Sequence, residues 1–197
     1  MAHKEQWVFC GKVKQLFPDS FINKKVLDIG SFDVNGNEEF LFKNCDFTGL
    51  DLGAGKGVDV VCPAHEYDVL DKTFDTIVSC ECWEHNPYYA ESIQNAIRML
   101  KPGGLFFFTC ATTDRPVHGT VTQDKIDRKN MKTLQGNDIV EWKTMPNVNR
   151  EDWDNEYYKN ITEKDIREAI DIDEIFEKYK FEVEENHCDL YFWGVKK

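Results

Sequence analysis

The sequence predicts an α/β protein built on a parallel sheet, and three observations support this. The run at 26–29 (VLDI) is short, apolar and partly β-branched, as expected of a strand that is buried on both faces. It ends directly in Gly30, and a glycine turn after a buried strand is where α/β proteins place ligands. A second short strand, 47–52, carries Asp51 at its carboxyl end, 21 residues after Gly30. That spacing is close to the one at which an acidic group meets a ribose in nucleotide-binding units.

The first half of the chain alternates between predicted helices, turns and strands. We expect an N-terminal helix over residues 3–21 that caps the sheet and stops at Pro18. Its imperfect apolar stripe consists of Trp7, Val8, Val13, Leu16 and Phe17. Four further segments follow: a short helix or turn at 38–43, a flexible turn at 53–57, a third strand at 58–61 and a fourth strand at 74–79.

The second half begins with a clear helix and then becomes harder to interpret. Apolar residues recur at spacings of three and four from 87 to 100, at Ile93, Ala96, Ile97 and Leu100. We expect a turn at 101–104, with glycines free to take a positive φ, and a fifth strand at 105–109. Thr162 and Asp165 are typical of a helix cap. The helix that follows is expected to break near Asp171 and to resume as far as Tyr179.

Composition limits the classes of function. The formal net charge of −12 works against an extended grip on a nucleic-acid backbone, so nucleic acid is not an expected partner. A basic run at 125–132 fits a solvated loop or helix. No apolar run of 18 residues and no signal-peptide pattern occur, so we expect no membrane partner. Seven cysteines without a C-x-x-C pair fit free thiols in a reducing cytoplasm.

Four sequence blocks resemble the class I S-adenosylmethionine-dependent methyltransferases. In order, they are VLDIGSFDVNGN, TGLDLGAGKGVDVV, FDTIVSCECWEH and MLKPGGLFFFT, within residues 25–110. The resemblance implies a Rossmann-like fold with a seven-stranded, mostly parallel sheet, an antiparallel C-terminal hairpin at 181–184 and 189–195, and helices on both faces. It implies one domain over 1–197, with a helical cap (1–24), a cofactor-binding core (25–110), a variable substrate-side insertion (111–160) and a C-terminal helix and hairpin (161–197).

The same resemblance implies S-adenosylmethionine as cofactor and S-adenosylhomocysteine as product. An ionised carboxylate at Asp51 can accept a hydrogen bond from each of two neighbouring hydroxyls. The first loop carries Phe32 and Val34 where the family commonly has small residues, and a subgroup with the pattern GS-x-D-V-N-G is closer. The expected cofactor-binding residues are Asp28, Gly30, Ser31, Phe32, Asn35, Asp51, Leu52, Ala64, His65 and Cys80.

Catalytic groups are expected directly after the fourth strand. A histidine can take the proton of a hydroxyl acceptor, so His85 is the expected base, accompanied by Glu84 and Glu81. The acceptor is expected to be a hydroxyl of a small molecule or saccharide, because relatives with the GS-x-D-V-N-G loop resemble enzymes of surface-glycan modification. The expected acceptor wall consists of Arg115, His118, Tyr157 and Tyr158.

Two alternatives stay open. The E-x-x-E-H pattern resembles the metal-binding segment of certain O-methyltransferases that act on catechol-type compounds or on RNA. A divalent cation could then be held by Glu81, Glu84, His85 and His118. Without a metal, Glu84 would anchor a helix start by accepting backbone N–H bonds. The chain could also be a catalytically silent subunit that binds cofactor and acts in an assembly.

Overall fold

The computed structural model describes residues 4–34, 36–123 and 153–197. Asn35 and the basic run at 125–132, both singled out above, lie outside the described residues. The strands are β1 (Lys25–Ile29), β2 (Asp46–Asp51), β3 (Val60–Val61), β4 (Phe74–Cys80), β5 (Leu100–Ala111), β6 (Phe176–Glu184) and β7 (Asp189–Lys196). The α-helices include α1 (Lys4–Leu16), α2 (Tyr89–Met99), α3 (Glu163–Ala169) and α4 (Ile172–Ile175), and 3₁₀ helices span Pro18–Phe21, Glu39–Leu41 and Trp83–His85.

The strands form one seven-stranded sheet in the order β3-β2-β1-β4-β5-β7-β6. Neighbouring strands from β3 to β5 pair in parallel, whereas β7 runs antiparallel to both β5 and β6. The predicted fold class is therefore confirmed. Chain order reverses between β1 and β4, and such a switch point opens a crevice at the carboxyl ends of the strands.

Both faces of the sheet are buried under helices. Along β5, Phe106 and Phe108 point to one face, where α2 and α3 pack, and Phe107 points to the other, where α1 packs. This alternation follows from the two-residue period of a strand. Phe108 stacks on Phe192 of β7 at 5.1 Å between ring centroids, and Phe107 lies 5.6 Å from Phe21. The aromatic strand β5 thus holds the two layers of the core together.

Helix α1 buries a different face from the one its apolar stripe predicts. Trp7, Val8 and Leu16 are 40%, 48% and 59% exposed, so that part of the prediction is wrong. The buried side chains of α1 are Gln6, Phe9, Cys10 and Val13. These recur at spacings of three and four, and Phe9 stacks on Tyr191 of β7 at 4.5 Å. A glutamine among them broke the apolar pattern in the sequence. The helix ends at Leu16, and the Pro18–Phe21 turn replaces its predicted last turn.

Three boundaries differ from the predicted ones. The helix does not resume as far as Tyr179, because strand β6 begins at Phe176, whose ring packs against Phe192 in β7. The predicted turn at 101–104 lies inside β5 as an irregularity in its pairing with β4, and Gly103 there has a φ of +72°. Strand β3 contains only two residues. The predicted helix break is confirmed, since the Asp171 side chain caps the short helix α4.

No helix in the described ranges combines the length and apolar character that crossing a membrane requires.

Thr162 caps helix α3 reciprocally with Asp165. The Thr162 hydroxyl accepts a hydrogen bond from the Asp165 N–H, and the Asp165 carboxylate accepts one from the Thr162 N–H at 2.8 Å. We expect Thr162→Ala to lower the free energy of unfolding by about 1 kcal/mol, measured by urea denaturation. Thr162→Ser keeps the hydroxyl and should retain most of the stability. Equal stability of the alanine variant and the wild type would contradict this role of the cap.

Candidate active site

A cleft that is open to solvent lies at the carboxyl ends of β1, β2 and β4. One side is formed by the turn after β1 and by the end of β2, and the other by the segment after β4. The predicted site residues that line the cleft are Asp28, Gly30, Ser31, Phe32, Asp51, Leu52, Ala64, Cys80, Glu81, His85 and Tyr157. Most of the predicted cofactor residues and the predicted base therefore share one cavity.

The chain turns sharply at Gly30, which has a φ of +84°. A Cβ at this position would lie 2.7 Å from the Cβ of Cys82 and 2.9 Å from its Sγ. The glycine was predicted to let a cofactor approach, but in this structure the space beside it is filled by Cys82. The turn is fixed further because the N–H groups of Gly30 and Ser31 both donate to the Leu50 carbonyl oxygen, at 2.9 and 3.2 Å.

Asp51 ties the end of β2 to the loop after β1. Its Oδ2 accepts a hydrogen bond from the Phe32 N–H at 3.1 Å, and its Oδ1 accepts one from the Gly53 N–H at 3.0 Å. Each carboxylate oxygen keeps a further lone pair for a ligand. Burial raises the pKa of this carboxyl, while the backbone hydrogen bonds oppose that shift. The ring of Phe32 lies beside Gly55, where an added Cβ would meet it at 1.9 Å.

On the cofactor side of the cleft, two buried polar atoms lack a hydrogen-bond partner among the described residues. The Asp28 Oδ2 and the Ser31 Oγ make no hydrogen bond within the described part of the chain. Burial raises the pKa of Asp28 well above its usual value, helped by the nearby carboxylates of Glu38 and Asp51. Such unmatched groups indicate a ligand or water that completes their hydrogen bonding. His65, in contrast, does not line the cleft and packs on the Tyr88 ring at 4.4 Å.

The segment after β4 is held in a constrained conformation. Glu81 has a φ of +54°, which is uncommon for a residue other than glycine. Its N–H donates to the Thr109 carbonyl oxygen at 2.9 Å, and its Oε1 accepts from the Thr109 hydroxyl at 2.9 Å. Trp83 is fully buried and packs edge-on against Phe108. Strain of this kind is commonly found at functional sites, where the surrounding structure enforces it.

Glu84, His85 and His118 come together behind the cleft wall. The Nε2 atoms of both histidines lie 3.9 Å from Glu84 Oε1, and their rings are 5.0 Å apart. The Tyr158 ring lies 5.5 Å from His85 and 5.1 Å from His118. Several polar atoms of this group are buried without a hydrogen-bond partner among the described residues: both Glu84 carboxylate oxygens, His85 Nδ1, His118 Nε2 and the Tyr158 hydroxyl.

Burial keeps this group of side chains uncharged near neutral pH. It raises the pKa of Glu84 to about 8, with a further contribution from the Glu81 carboxylate. It also lowers the pKa of His85 to about 3 and that of His118 to about 4. An imidazole with so low a pKa is unprotonated at pH 7 and can accept a proton or bind a metal ion. Neither the Trp83–His85 helix nor α2 has a side-chain cap, so Glu84 does not anchor a helix start as expected for the metal-free case.

The other two predicted acceptor residues, Arg115 and Tyr157, lie apart from each other, and only one of them lines the cleft. Arg115 donates hydrogen bonds to the His187 carbonyl oxygen and to Asp189 Oδ1, the latter at 3.2 Å, so it ties the loop after β5 to the C-terminal hairpin. It does not line the cleft, whereas Tyr157 does. The Lys159 N–H donates to the Glu84 carbonyl oxygen at 2.9 Å, which brings the segment from Trp153 to Lys159 against the site.

Sequence reasoning missed several residues that form the cleft. These are Gln6, Glu38, Cys82, Asn86, Gly119 and Trp153. Gly119 has a φ of +66°, and a Cβ there would lie 2.8 Å from Cε1 of His85, so this glycine lets the chain pack directly on the imidazole. A polar Gln6 among apolar helix positions was a usable signal for the cleft. Trp153 lies 123 residues from Gly30, and nothing in the sequence pattern links the two.

Comparisons with known proteins agree with this geometry. The model of a family described as a methyltransferase domain matches residues 1–186. Ubiquinone biosynthesis O-methyltransferases from Idiomarina loihiensis and Pectobacterium atrosepticum are 29% and 31% identical over 106 and 107 residues. Each alignment covers 46% of this chain and 44% of the relative, so the chain matches less than half the length of these curated relatives.

Two solved structures show the same fold at low sequence identity. One is the Burkholderia thailandensis 1,6-didemethyltoxoflavin-N1-methyltransferase with bound 1,6-didemethyltoxoflavin and S-adenosylhomocysteine, at a TM-score of 0.55 and 16% identity, covering 100% of this chain and 92% of the other. The second is Haemonchus contortus phosphoethanolamine N-methyltransferase 2 in complex with S-adenosyl-L-methionine, at a TM-score of 0.59 and 15% identity, covering 98% and 52%.

The domain match over nearly the whole chain, together with the seven-stranded sheet and its switch-point cleft, leads to one conclusion. The chain belongs to the methyltransferase domain family and has the fold of the class I S-adenosylmethionine-dependent methyltransferases.

Proposed function

We propose that this chain is an S-adenosylmethionine-dependent methyltransferase that methylates a hydroxyl group of a small molecule or saccharide. One observation carries the proposal: a single cleft is lined on one side by Gly30 and Asp51 and on the other by His85. A cofactor held on the first side would present its reactive end toward the second. The family match and the O-methyltransferases among the curated relatives support the same reaction class.

The cofactor side of the cleft offers groups that suit an adenosyl ligand. The Asp51 carboxylate can accept hydrogen bonds from a ribose diol with the lone pairs that Phe32 and Gly53 leave free. Asp28 Oδ2 and Ser31 Oγ are buried and unmatched among the described residues, so they fit the polar methionine portion of the cofactor. Ala64 is 8% exposed and lines the cleft, where its methyl group offers an apolar contact for the adenine ring of the cofactor.

At the other side, the chain needs to orient the acceptor and remove its proton. When bound, the cofactor would supply an electrophilic methyl group on its sulfonium. The chain therefore contributes mainly by alignment. His85 lines the cleft and is unprotonated near neutral pH because burial lowers its pKa to about 3. This pKa makes the imidazole a weak base, so it takes the proton late, when the forming oxygen–methyl bond has made the hydroxyl proton strongly acidic.

The acceptor end carries flat side chains with polar neighbours. Trp153 and Tyr157 line this part of the cleft together with Asp154 and Asn155. Aromatic faces pack against sugar or aromatic rings, and carboxylate and amide groups can bond their hydroxyls. This composition supports a hydroxylated ring compound as the acceptor. The ubiquinone biosynthesis enzymes among the relatives are also named as O-methyltransferases.

A second candidate is a methyltransferase that uses a divalent cation, and the group formed by Glu84, His85 and His118 favours it. One ligand atom from each of these residues lies within 4.8 Å of the others. Both Glu84 carboxylate oxygens and His118 Nε2 are buried without a hydrogen-bond partner among the described residues, so they are available to coordinate a cation. Glu81, the fourth expected ligand, is not part of this group and bonds Thr109. A cation held there would lower the pKa of an acceptor hydroxyl.

Removing the Asp51 carboxylate tests the cofactor side. We expect Asp51→Ala to weaken binding of S-adenosylhomocysteine by about 100-fold, roughly 2.7 kcal/mol, because hydrogen bonds to a charged acceptor are lost. Isothermal titration calorimetry measures this directly. Asp46→Ala is the matched control, because Asp46 lies on the same strand with its side chain 71% exposed. Its affinity should equal that of the wild type, and equal affinity of the Asp51 variant would refute the assignment.

Replacing His85 tests the proposed base. We expect His85→Ala to lower kcat by about 10²- to 10⁴-fold without loss of S-adenosylhomocysteine binding, assayed on an acceptor found in a panel of hydroxylated compounds. His187→Ala, at a histidine whose side chain is 40% exposed and pairs with Glu5, should leave kcat unchanged. Cofactor binding without turnover on any acceptor would instead support the silent assembly subunit.

Chelation separates the two candidates. For the metal-dependent enzyme we expect EDTA to abolish turnover and added Mg²⁺ to restore it. Cation affinity should also fall about tenfold per unit as pH drops below about 8, because a proton competes for the Glu84 carboxylate. Glu84→Gln should remove both effects. If turnover is unchanged in EDTA and constant between pH 8 and 5, the metal-dependent candidate is rejected. That result agrees with a neutral His85 as the base.

A further inference from the structure

A second group of potential metal ligands lies beside the cleft. It consists of Cys10 from α1, Glu38 from the loop after β1, and Cys80 at the end of β4. One ligand atom from each residue lies within 4.8 Å of the others. These three residues come from separate parts of the chain, and the methyltransferase reaction proposed above gives none of them a role as a ligand.

The distance between the two sulfur atoms suits a shared metal ion. Cys10 Sγ and Cys80 Sγ are 3.9 Å apart. Two thiolates bound to one tetrahedral Zn²⁺ at about 2.3 Å each stand about 3.8 Å apart. All seven cysteines are free thiols, so these two are available as ligands.

The third ligand is already oriented by a neighbour. Glu38 is 3% exposed, and its Oε1 accepts a hydrogen bond from Gln6 Nε2 at 2.6 Å. A hydrogen bond of this kind, from outside the ligand set, fixes the orientation of a metal-binding carboxylate. It also gives a reason for placing a polar glutamine on the buried face of α1, where the rest of the face is Phe9, Cys10 and Val13.

The charge of the surroundings favours a cation. The Asp28 carboxyl is 1% exposed, its Oδ2 has no hydrogen-bond partner among the described residues, and the charged neighbours that shift its pKa are all acidic. A cation bound beside these groups would be attracted by the carboxylates around it.

We propose that Cys10, Glu38 and Cys80 form a binding site for Zn²⁺ that links helix α1 to the carboxyl end of β4. Two thiolates select a borderline-soft cation, and a carboxylate favours Zn²⁺ over Cu⁺. Glu38 and Cys80 line the cleft, which gives the ion a route of entry and leaves a fourth position facing the cavity. The site borders the cleft of the proposed methyl transfer, but its ligands are a separate set from Asp51 and His85.

Cobalt substitution tests the site on the reduced full-length chain. We expect one equivalent of Co²⁺ to give a thiolate-to-cobalt charge-transfer band and the visible absorption bands of tetrahedral Co²⁺. Both should disappear when Zn²⁺ is added, because Zn²⁺ displaces the cobalt. The group at Glu84 has no thiolate and cannot give the charge-transfer band. Binding should tighten as pH rises, because the thiols must lose their protons. Zinc at a hundredfold excess over Kd should raise Tm by about 5 °C or more.

Variants assign the ligands. Cys10→Ala and Cys80→Ala should each abolish the charge-transfer band or weaken binding by more than about 100-fold, since even the loss of an outer-shell partner costs 10- to 100-fold. Glu38→Gln keeps the side-chain volume and should weaken binding with the apo-protein Tm retained. Cys45→Ala, at a partly exposed thiol outside the group, is the control and should bind like the wild type.

The proposal is overturned if no charge-transfer band appears, or if the band persists unchanged in both Cys10→Ala and Cys80→Ala. Titration of the same sample with S-adenosylhomocysteine keeps the two proposals separate. Metal binding without S-adenosylhomocysteine binding supports the metal site and rejects the methyltransferase proposal. Binding of S-adenosylhomocysteine without the charge-transfer band supports the methyltransferase proposal and rejects the metal site.

Discussion

The turn at Gly30 positions both halves of the cleft relative to each other. Its backbone takes a φ of +84°, and the Cys82 side chain occupies the space that a Cβ would need. The end of β1 is therefore packed directly on the segment after β4, which carries Glu81 and His85. Because both strands are central in a seven-stranded sheet, this contact joins two rigid elements. The Asp51 carboxylate adds the end of β2 by accepting the Phe32 N–H.

A second feature is the number of acidic and imidazole groups kept away from water around this rigid contact. Glu84 is fully buried beside two neutral histidines, and Asp28 and Glu38 are buried beside two thiols. Burying such groups costs free energy unless hydrogen bonds or opposite charges offset it, and among them Glu38 has a bond from Gln6. The cofactor, a proton from the acceptor, and cations are the ligands whose binding would offset that cost.

Much of the fold could be predicted because it depends on local pattern. The buried strand at 26–29, the position of Asp51 and the α2 face of Ile93 and Ala96 all follow from the period of apolar residues. Contacts between distant segments could not be predicted in this way. Three such contacts depend on how loops and α1 pack on the finished sheet. They join His118 to Glu84, Gly119 to His85, and Gln6 to Glu38. The face of α1 was misjudged for the same reason, since its buried glutamine bonds Glu38, which lies 32 residues away in the chain.

A crystal structure of the chain with S-adenosylhomocysteine tests the central claim most directly. We predict the ligand in the cleft, with the ribose hydroxyls within hydrogen-bonding distance of Asp51 and the sulfur directed toward His85. A ligand bound elsewhere, or a cleft whose Asp51 carboxylate contacts only Phe32 and Gly53 at saturating ligand, would contradict the account.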